Sequence, residues 1–240
     1  MSLVPSTTET LAELGVREQV VGRTRYCVHP QPWVDEVPTV GGTKDPDLAR
    51  IEELSPDLIV ANREENKPAH FDALDGIAPL WVAYPRDVSG SLADVLELGA
   101  LVGVPRIGRD LVARIAEARA DLAVTVDGRA PFRYAYLIWR DPWMAVNDDT
   151  FIAALLAEAG GRNALGAHAE RYPQVALDEL READPDIVFL PSEPYAFTEG
   201  HAAELAELAP RARLVDGEML SWHGSRLLAA FPYLADVTAT

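Results

Sequence analysis

Leu54-Ser55-Pro56-Asp57-Leu58-Ile59-Val60 and Ala183-Asp184-Pro185-Asp186-Ile187-Val188-Phe189 are one pattern written twice. In each, a helix end meets a Pro-Asp turn and then an apolar run short enough to be a buried strand. Seven residues after Asp57 and Asp186 stand Glu64 and Glu193. Earlier in each half, Thr10-Leu11-Ala12-Glu13-Leu14-Gly15 parallels Ala154-Leu155-Leu156-Ala157-Glu158-Ala159-Gly160-Gly161. Eleven residues beyond Gly15 and Gly161 come Tyr26 and Tyr172, each preceded by arginine. Features recurring in one order are the mark of a duplicated unit.

Outward from these stretches, short apolar runs alternate with helical patterns, which is the signature of α/β layering with parallel strands. Strands are predicted at Ser2 to Val4, Leu58 to Ala61, Leu80 to Ala83, Tyr134 to Trp139, Ile187 to Leu190 and Arg213 to Val215. Ser6-Thr7-Thr8-Glu9 reads as a capping box opening the first helix. Between the halves, Ser91 to Asp127 holds no strand-like run. Ile107, Leu111, Val112, Ile115, Ala118 and Leu122 recur there at helical spacing, giving one amphipathic helix of about five turns that would restrict hinge motion. The expected fold is α/β: two similar lobes with central parallel sheets, joined by one long backbone helix, with a ligand cleft between them. The boundaries read as residues 1–90 for the N-terminal lobe, 91–127 for the connecting helices and 128–240 for the C-terminal lobe.

Composition narrows the function. The 240 residues carry 21 basic and 38 acidic side chains, a net charge of −17, which argues against nucleic acid or an anionic membrane as partner. The single cysteine, Cys27, excludes an internal disulfide, a zinc ribbon and an iron–sulfur cluster. No apolar stretch approaches a membrane span and no signal peptide is visible, so the chain as written is expected in the cytoplasm. Ser2-Leu3-Val4 reads as the end of a strand, so a longer N-terminus would shift that expectation to an extracytoplasmic site.

In a parallel α/β lobe, ligands gather outside the carboxyl ends of the strands. Loops placed there carry Tyr26, Trp139, Trp143, Tyr172 and Trp222, an aromatic lining suited to a large flat ligand. Arg63, Glu64 and Glu193 add polar contacts, and Glu64 with Glu65 offers paired carboxylates. Cys27 and His29 could be metal ligands or a nucleophile–base pair, with His223 approaching His29, although three or four ligands are the usual need. No Gly-x-Ser-x-Gly elbow, phosphate loop or dinucleotide fingerprint is present.

Ser2-Leu3-Val4-Pro5-Ser6-Thr7-Thr8-Glu9, Thr24-Arg25-Tyr26-Cys27-Val28-His29-Pro30, Gly41-Gly42-Thr43-Lys44, Pro56 to Asn66 and Leu190-Pro191-Ser192-Glu193-Pro194-Tyr195 together resemble the helical-backbone substrate-binding proteins of ABC importers. The resemblance is nearest to the cobalamin- and iron-siderophore-binding branch and covers nearly the whole chain. It implies a non-enzymatic receptor with no required cofactor, whose ligand is cobalamin or a ferric siderophore. In the cobalamin-binding branch, aromatic side chains meet the corrin at positions matching Tyr26 and Tyr172, the second a tyrosine where the family has tryptophan. The family also docks its permease through one glutamate per lobe. The matching positions are Ala49 and Asp178, so one docking carboxylate is lost and the other shortened. A direct metal-ion receptor using His29, His223 and carboxylates is the alternative, and an enzyme using Cys27 or Glu64 and Glu65 a third.

Overall fold

A computed structural model describes residues 1–239. Among them are eleven α-helices and seven strands, divided between two compact units. Unit 1 comprises Met1–Pro85, Ser89–Ile115 and His223–Arg226; unit 2 comprises Arg86–Val88, Ala116–Trp222 and Leu227–Thr240.

The helices and strands of unit 1 are α1 (Pro5–Glu13), α2 (Trp33–Glu36), α3 (Leu48–Glu53), β1 (Ile59–Asn62), α4 (Phe71–Asp75), β2 (Leu80–Ala83) and most of α5 (Val88–Leu101), followed by the first half of α6 (Pro105–Val126). Strands β1 and β2 pair in parallel, from Ile59 with Leu80 to Asn62 with Ala83. Every residue of β1 is buried, as expected for a parallel strand covered on both faces. The predicted strand at Ser2 to Val4 is reduced to single parallel bridges, Ser2 to Val60 and Ser2 to Arg23, and Arg23 bridges Thr39 in turn. Leu3, Val40, Ile51, Ile59 and Leu74 fill the core around this layer.

The expected capping box does not form. Proline fixes a helical φ and lacks the N–H that a cap would satisfy, so α1 starts at Pro5 with Val4 as N-cap and no side-chain cap. Ser6 Oγ lies 3.1 Å from His223 Nε2 instead, and Glu9 Oε2 is 2.9 Å from Arg226 Nε. Further along, α5 and α6 approach closely where both carry glycine: a Cβ on Gly99 would stand 3.2 Å from Gly108 Cα. Helix α6 is one uninterrupted 22-residue element with Pro105 at its first position, about 33 Å long. Leu111, Ile115 and Leu122 form its buried stripe, while Ile107 is exposed.

Unit 2 contains the rest of α6, then β3 (Phe132–Trp139), β4 (Met144–Ala145), α7 (Phe151–Ala157), β5 (Gly161–Asn163), α8 (Leu177–Glu182), β6 (Ile187–Pro191), α9 (Glu199–Glu204), β7 (Ala212–Val215), α10 (Gly217–Ser221) and α11 (Leu227–Val237). The sheet order is β4-β3-β6-β7, with β5 also on β3. The β3–β6, β6–β7 and β3–β5 pairs are parallel and β3–β4 is antiparallel. Ala135, Leu137, Val188 and Leu190 point into a core closed by Leu180, Leu205 and Leu208.

The duplication is visible in the backbone. Ser55 and Asp184, each the residue before the Pro-Asp turn, have φ of 46° and 44°. Gly15 and Gly160 end their helices at φ of 76° and 82°. A left-handed residue just past a helix satisfies its last carbonyls, and proline then forbids continuation.

Candidate functional site

The loops after the strands hold most of the candidate residues, and each unit presents its own. In unit 1, Tyr26 projects from an otherwise fixed segment. Thr24 and Cys27 beside it are buried, and the Thr8 and Thr24 hydroxyls lie 3.1 and 3.2 Å from Cys27 Sγ. With Thr24 and Cys27 buried on either side, Tyr26 is left 51% exposed. Burial pushes the Cys27 thiol above its ordinary pKa, which suits a packed, protonated side chain rather than a nucleophile.

After β1, two buried asparagines shape the loop that carries Arg63 and Glu64. Asn62 Oδ1 accepts from the Glu64 and Glu65 amides at 2.7 and 3.2 Å. Asn66 Oδ1 accepts from the Asn62 amide at 2.8 Å, and its Nδ2 donates to Leu3 O at 3.2 Å and Thr43 O at 3.0 Å. These bonds satisfy backbone groups that the end of β1 leaves without strand partners. Lys44 Nζ donates to the Glu64 carbonyl, and the exposed Arg63 guanidinium sits 5.3 Å from the Tyr84 ring.

His223 reaches unit 1 from far along the chain. Its Nε2 lies 3.1 Å from Ser6 Oγ and 3.3 Å from Asn62 Nδ2, and burial lowers its pKa to about 4, so the ring is neutral at pH 7. His29 is half-buried. Among the described residues, no group of three or more His, Cys, Asp or Glu side chains is arranged to hold a metal ion.

In unit 2 the predicted aromatic lining divides. Trp139 is 43% exposed and edge-on to Tyr195, with ring centroids 5.3 Å apart. Tyr172 is 37% exposed. Trp143, by contrast, is 8% exposed and stacks on Phe197 with planes 3° apart, inside the unit's core. Trp222 is 6% exposed, and its Nε1 donates to Glu193 Oε1 at 2.6 Å, where Ser221 Oγ also donates at 3.2 Å. Trp143 and Trp222 are thus packed against their neighbours, and Glu193 is engaged in holding Trp222. Tyr84 and the carboxylates Asp45 and Asp149 are additions that the sequence did not single out. Tyr195 is braced by His201 Nε2 at 3.1 Å from its hydroxyl.

Each of the two α/β units thus presents exposed aromatic rings near the ends of its strands. The chain belongs to the periplasmic binding protein family, whose profile matches residues 1–209. It is thus a solute-binding protein and not an enzyme. The vitamin B12-binding protein of Vibrio cholerae serotype O1 is 23% identical over 202 residues, covering 84% of this chain and 72% of that one. The cobalamin-binding protein of Halobacterium salinarum is 28% identical over 199 residues, covering 78% of this chain and 52% of the relative. Among solved structures, the periplasmic heme-binding protein BhuT in complex with two hemes superposes with a TM-score of 0.86 at 24% identity, over 99% of this chain and 98% of that one. No helix among the described residues is long and apolar enough to cross a membrane.

Proposed function

We propose that this solute-binding protein captures a bulky metal chelate, cobalamin or a ferric siderophore, against the exposed rings of Tyr26, Trp139 and Tyr172, and does so outside the cytoplasm. The observation that carries this reading is the exposure of these three rings, at 51%, 43% and 37%, Trp139 at the end of β3 and Tyr26 and Tyr172 on loops. Large aromatic side chains gain nothing from water, and a rigid backbone lets them meet a ligand without an ordering cost. Arg63 and Glu64 supply polar contacts at the rim. Relatives named for vitamin B12 and cobalamin support a ligand of this size and chemistry. Direct capture of a bare metal ion through His29 and His223 has no supporting cluster among the described residues.

The test is titration calorimetry with the chelate on the wild type and on Tyr26→Ala with Tyr172→Ala. The double variant is expected to weaken binding by ~2–4 kcal/mol, one aromatic contact of about 1–2 kcal/mol at each position. Unchanged affinity in a folded double variant would remove the reading.

An importer is the natural partner of such a receptor, and the docking positions bear on how tightly it is met. Ala49 and Asp178 are both exposed second residues of six-residue helices, α3 and α8, each six positions before the repeated left-handed residue at Ser55 or Asp184. The Asp178 carboxylate lies 2.5 Å from Arg181 Nη1. With one carboxylate absent and the other short and already engaged, the expected complex with an importer is weak, since such pairs supply steering and register. Ala49→Glu with Asp178→Glu is expected to strengthen it in a surface-binding assay against the host's importer. Tight wild-type docking indifferent to both positions would sink this expectation.

A further inference from the structure

A small cavity lies in unit 1, walled by Trp81 and Leu98 and edged by Thr7, Ser91, Asp94 and the His223–Gly224 turn. The space open there to the centre of a water-sized sphere is about 10 Å³, room for one water molecule and little else. Asp94 is half-buried, yet its Oδ2 is closed off from solvent and has no hydrogen-bond partner among the described residues. Burial, helped by Glu97, raises this carboxyl to about 6, so at pH 7.5 it is still an anion. An anionic oxygen shut away from water without a donor is costly.

The neighbouring polar atoms restrict what can supply that donor. Thr10 is saturated: its Oγ1 donates to the Ser6 carbonyl at 2.8 Å, accepts from the Ser225 amide at 3.0 Å and lies 3.3 Å from Ser225 Oγ. Ser91 Oγ accepts from the Gly224 amide at 2.8 Å, which leaves its own proton to give. The turn needs its glycine to come this close, since Gly224 has a φ of 75° and an added Cβ would stand 2.2 Å from Thr10 Oγ1. From these groups we infer that the cavity is a binding site for one ordered water molecule, which donates to Asp94 Oδ2 and accepts from the Ser91 hydroxyl, with the Thr7 hydroxyl as its third partner. The guest must give a proton to a carboxylate and take one from an alcohol, and water does both. A bare cation wants several lone pairs, but those of Thr10 are taken and Ser91 has turned one to Gly224. An anion would meet the Asp94 charge, and an apolar guest would leave Oδ2 without a donor. Such a water joins α5, which carries Ser91 and Asp94, to α1, which carries Thr7. It does so beside the turn whose His223 steadies Asn62, at 3.3 Å, and with it the loop of Arg63 and Glu64.

The test counts long-lived internal waters in the full chain by oxygen-17 magnetic relaxation dispersion, with folding checked by circular dichroism. Asp94→Leu keeps the shape of the side chain and removes its oxygens, so it is expected to lose one such water relative to the wild type. Asp94→Asn retains an accepting oxygen and is expected to keep it. Ser91→Ala removes the donor and is expected to shorten the residence time about tenfold, the worth of one hydrogen bond. A second arm compares urea midpoints at equal ionic strength in sodium, potassium, ammonium and choline chloride, and equal midpoints are expected. A midpoint raised by one cation in the wild type and not in Asp94→Leu would put a cation in the cavity and overturn the proposal. An unchanged water count in folded Asp94→Leu would overturn it as well. Should Asp94→Leu not fold, Ser91→Ala decides alone, and an unaltered residence time there sinks the proposal.

Discussion

The two units raise an exposed ring from the same plan by different chemistry. Around Tyr26 the support is polar: Thr8, Thr24 and Cys27 on one side, and the buried amides of Asn62 and Asn66 under the neighbouring loop. Around Trp139 the support is aromatic: Tyr195 stands edge-on to it and tilted against Phe197, on which Trp143 stacks. A hydrogen-bonded support fixes direction but tolerates little substitution, because each partner left behind is buried and unsatisfied. A stacked support draws its strength from apolar area and fails by cavity. The duplication therefore preserved the backbone route, down to the left-handed Ser55 and Asp184, while the side chains beneath the rings diverged.

If that contrast is right, Trp143→Ala should produce the largest loss. It empties a stacked site in the core of unit 2 and is expected to cost ~3–5 kcal/mol in urea unfolding. Trp139→Ala, four residues away but half in solvent, should cost far less stability while weakening ligand binding. Equal destabilisation by the two would erase the distinction between support and platform. Asn66→Ala is the counterpart in unit 1. It strands the Asn62 amide and the Leu3 and Thr43 carbonyls, for an expected ~1–3 kcal/mol, and Asn66→Asp should recover only the bond that Oδ1 accepts. A neutral result in hydrogen exchange at the Asn62 amide would show that the polar support is dispensable.

The smallest effect concerns pH. Asp94 and His223 line one small pocket of unit 1 together with Thr7 and Ser91. Burial, helped by Glu97, raises Asp94 to about 6, and Asp94 Oδ2 has no hydrogen-bond partner. His223 is lowered by burial to about 4. Their signs oppose. Asp94 takes up a proton more readily folded than unfolded, so it adds stability as pH falls from about 6 towards 4. His223 resists protonation when folded, so it removes stability as pH falls from 6.5 to about 4. Asp94→Asn should raise the melting temperature at pH 7.5 by about 2 °C and steepen the decline below pH 6, where His223 is left unopposed. A melting curve against pH that keeps its wild-type shape would exclude the pairing.

These contrasts also mark where sequence reading reaches its limit. The strands β1, β2, β3, β6 and β7 were legible because buried parallel strands are continuous apolar runs. β4 and β5, of two and three residues, offer no such run, and Gly161-Arg162-Asn163 is polar throughout. A helix does open where Ser6-Thr7-Thr8-Glu9 announces one, but without the capping box, because Pro5 starts it with no side-chain cap. For the site, the repeat located Tyr26 and Tyr172, and both are exposed. It could not separate Trp139 from Trp143, since the difference lies in Phe197, which only the fold brings under one of them. Nor could it pair Arg25 with Asp45 or Arg171 with Asp149, whose approach depends on the turns between them.

Unit 1 is closed by residues that follow its main segment at a distance. Gly224 N donates to Ser91 Oγ at 2.8 Å, Ser225 N to Thr10 Oγ1 at 3.0 Å, and Arg226 pairs with Glu9. On the ribosome, Met1–Ile115 is complete when His223–Arg226 is still about 110 residues from being made, an interval of roughly 5–20 s at ordinary elongation rates. Until then the bonds from Gly224, Ser225 and Arg226 cannot form, and the first unit must wait, unsealed, for the second to be translated.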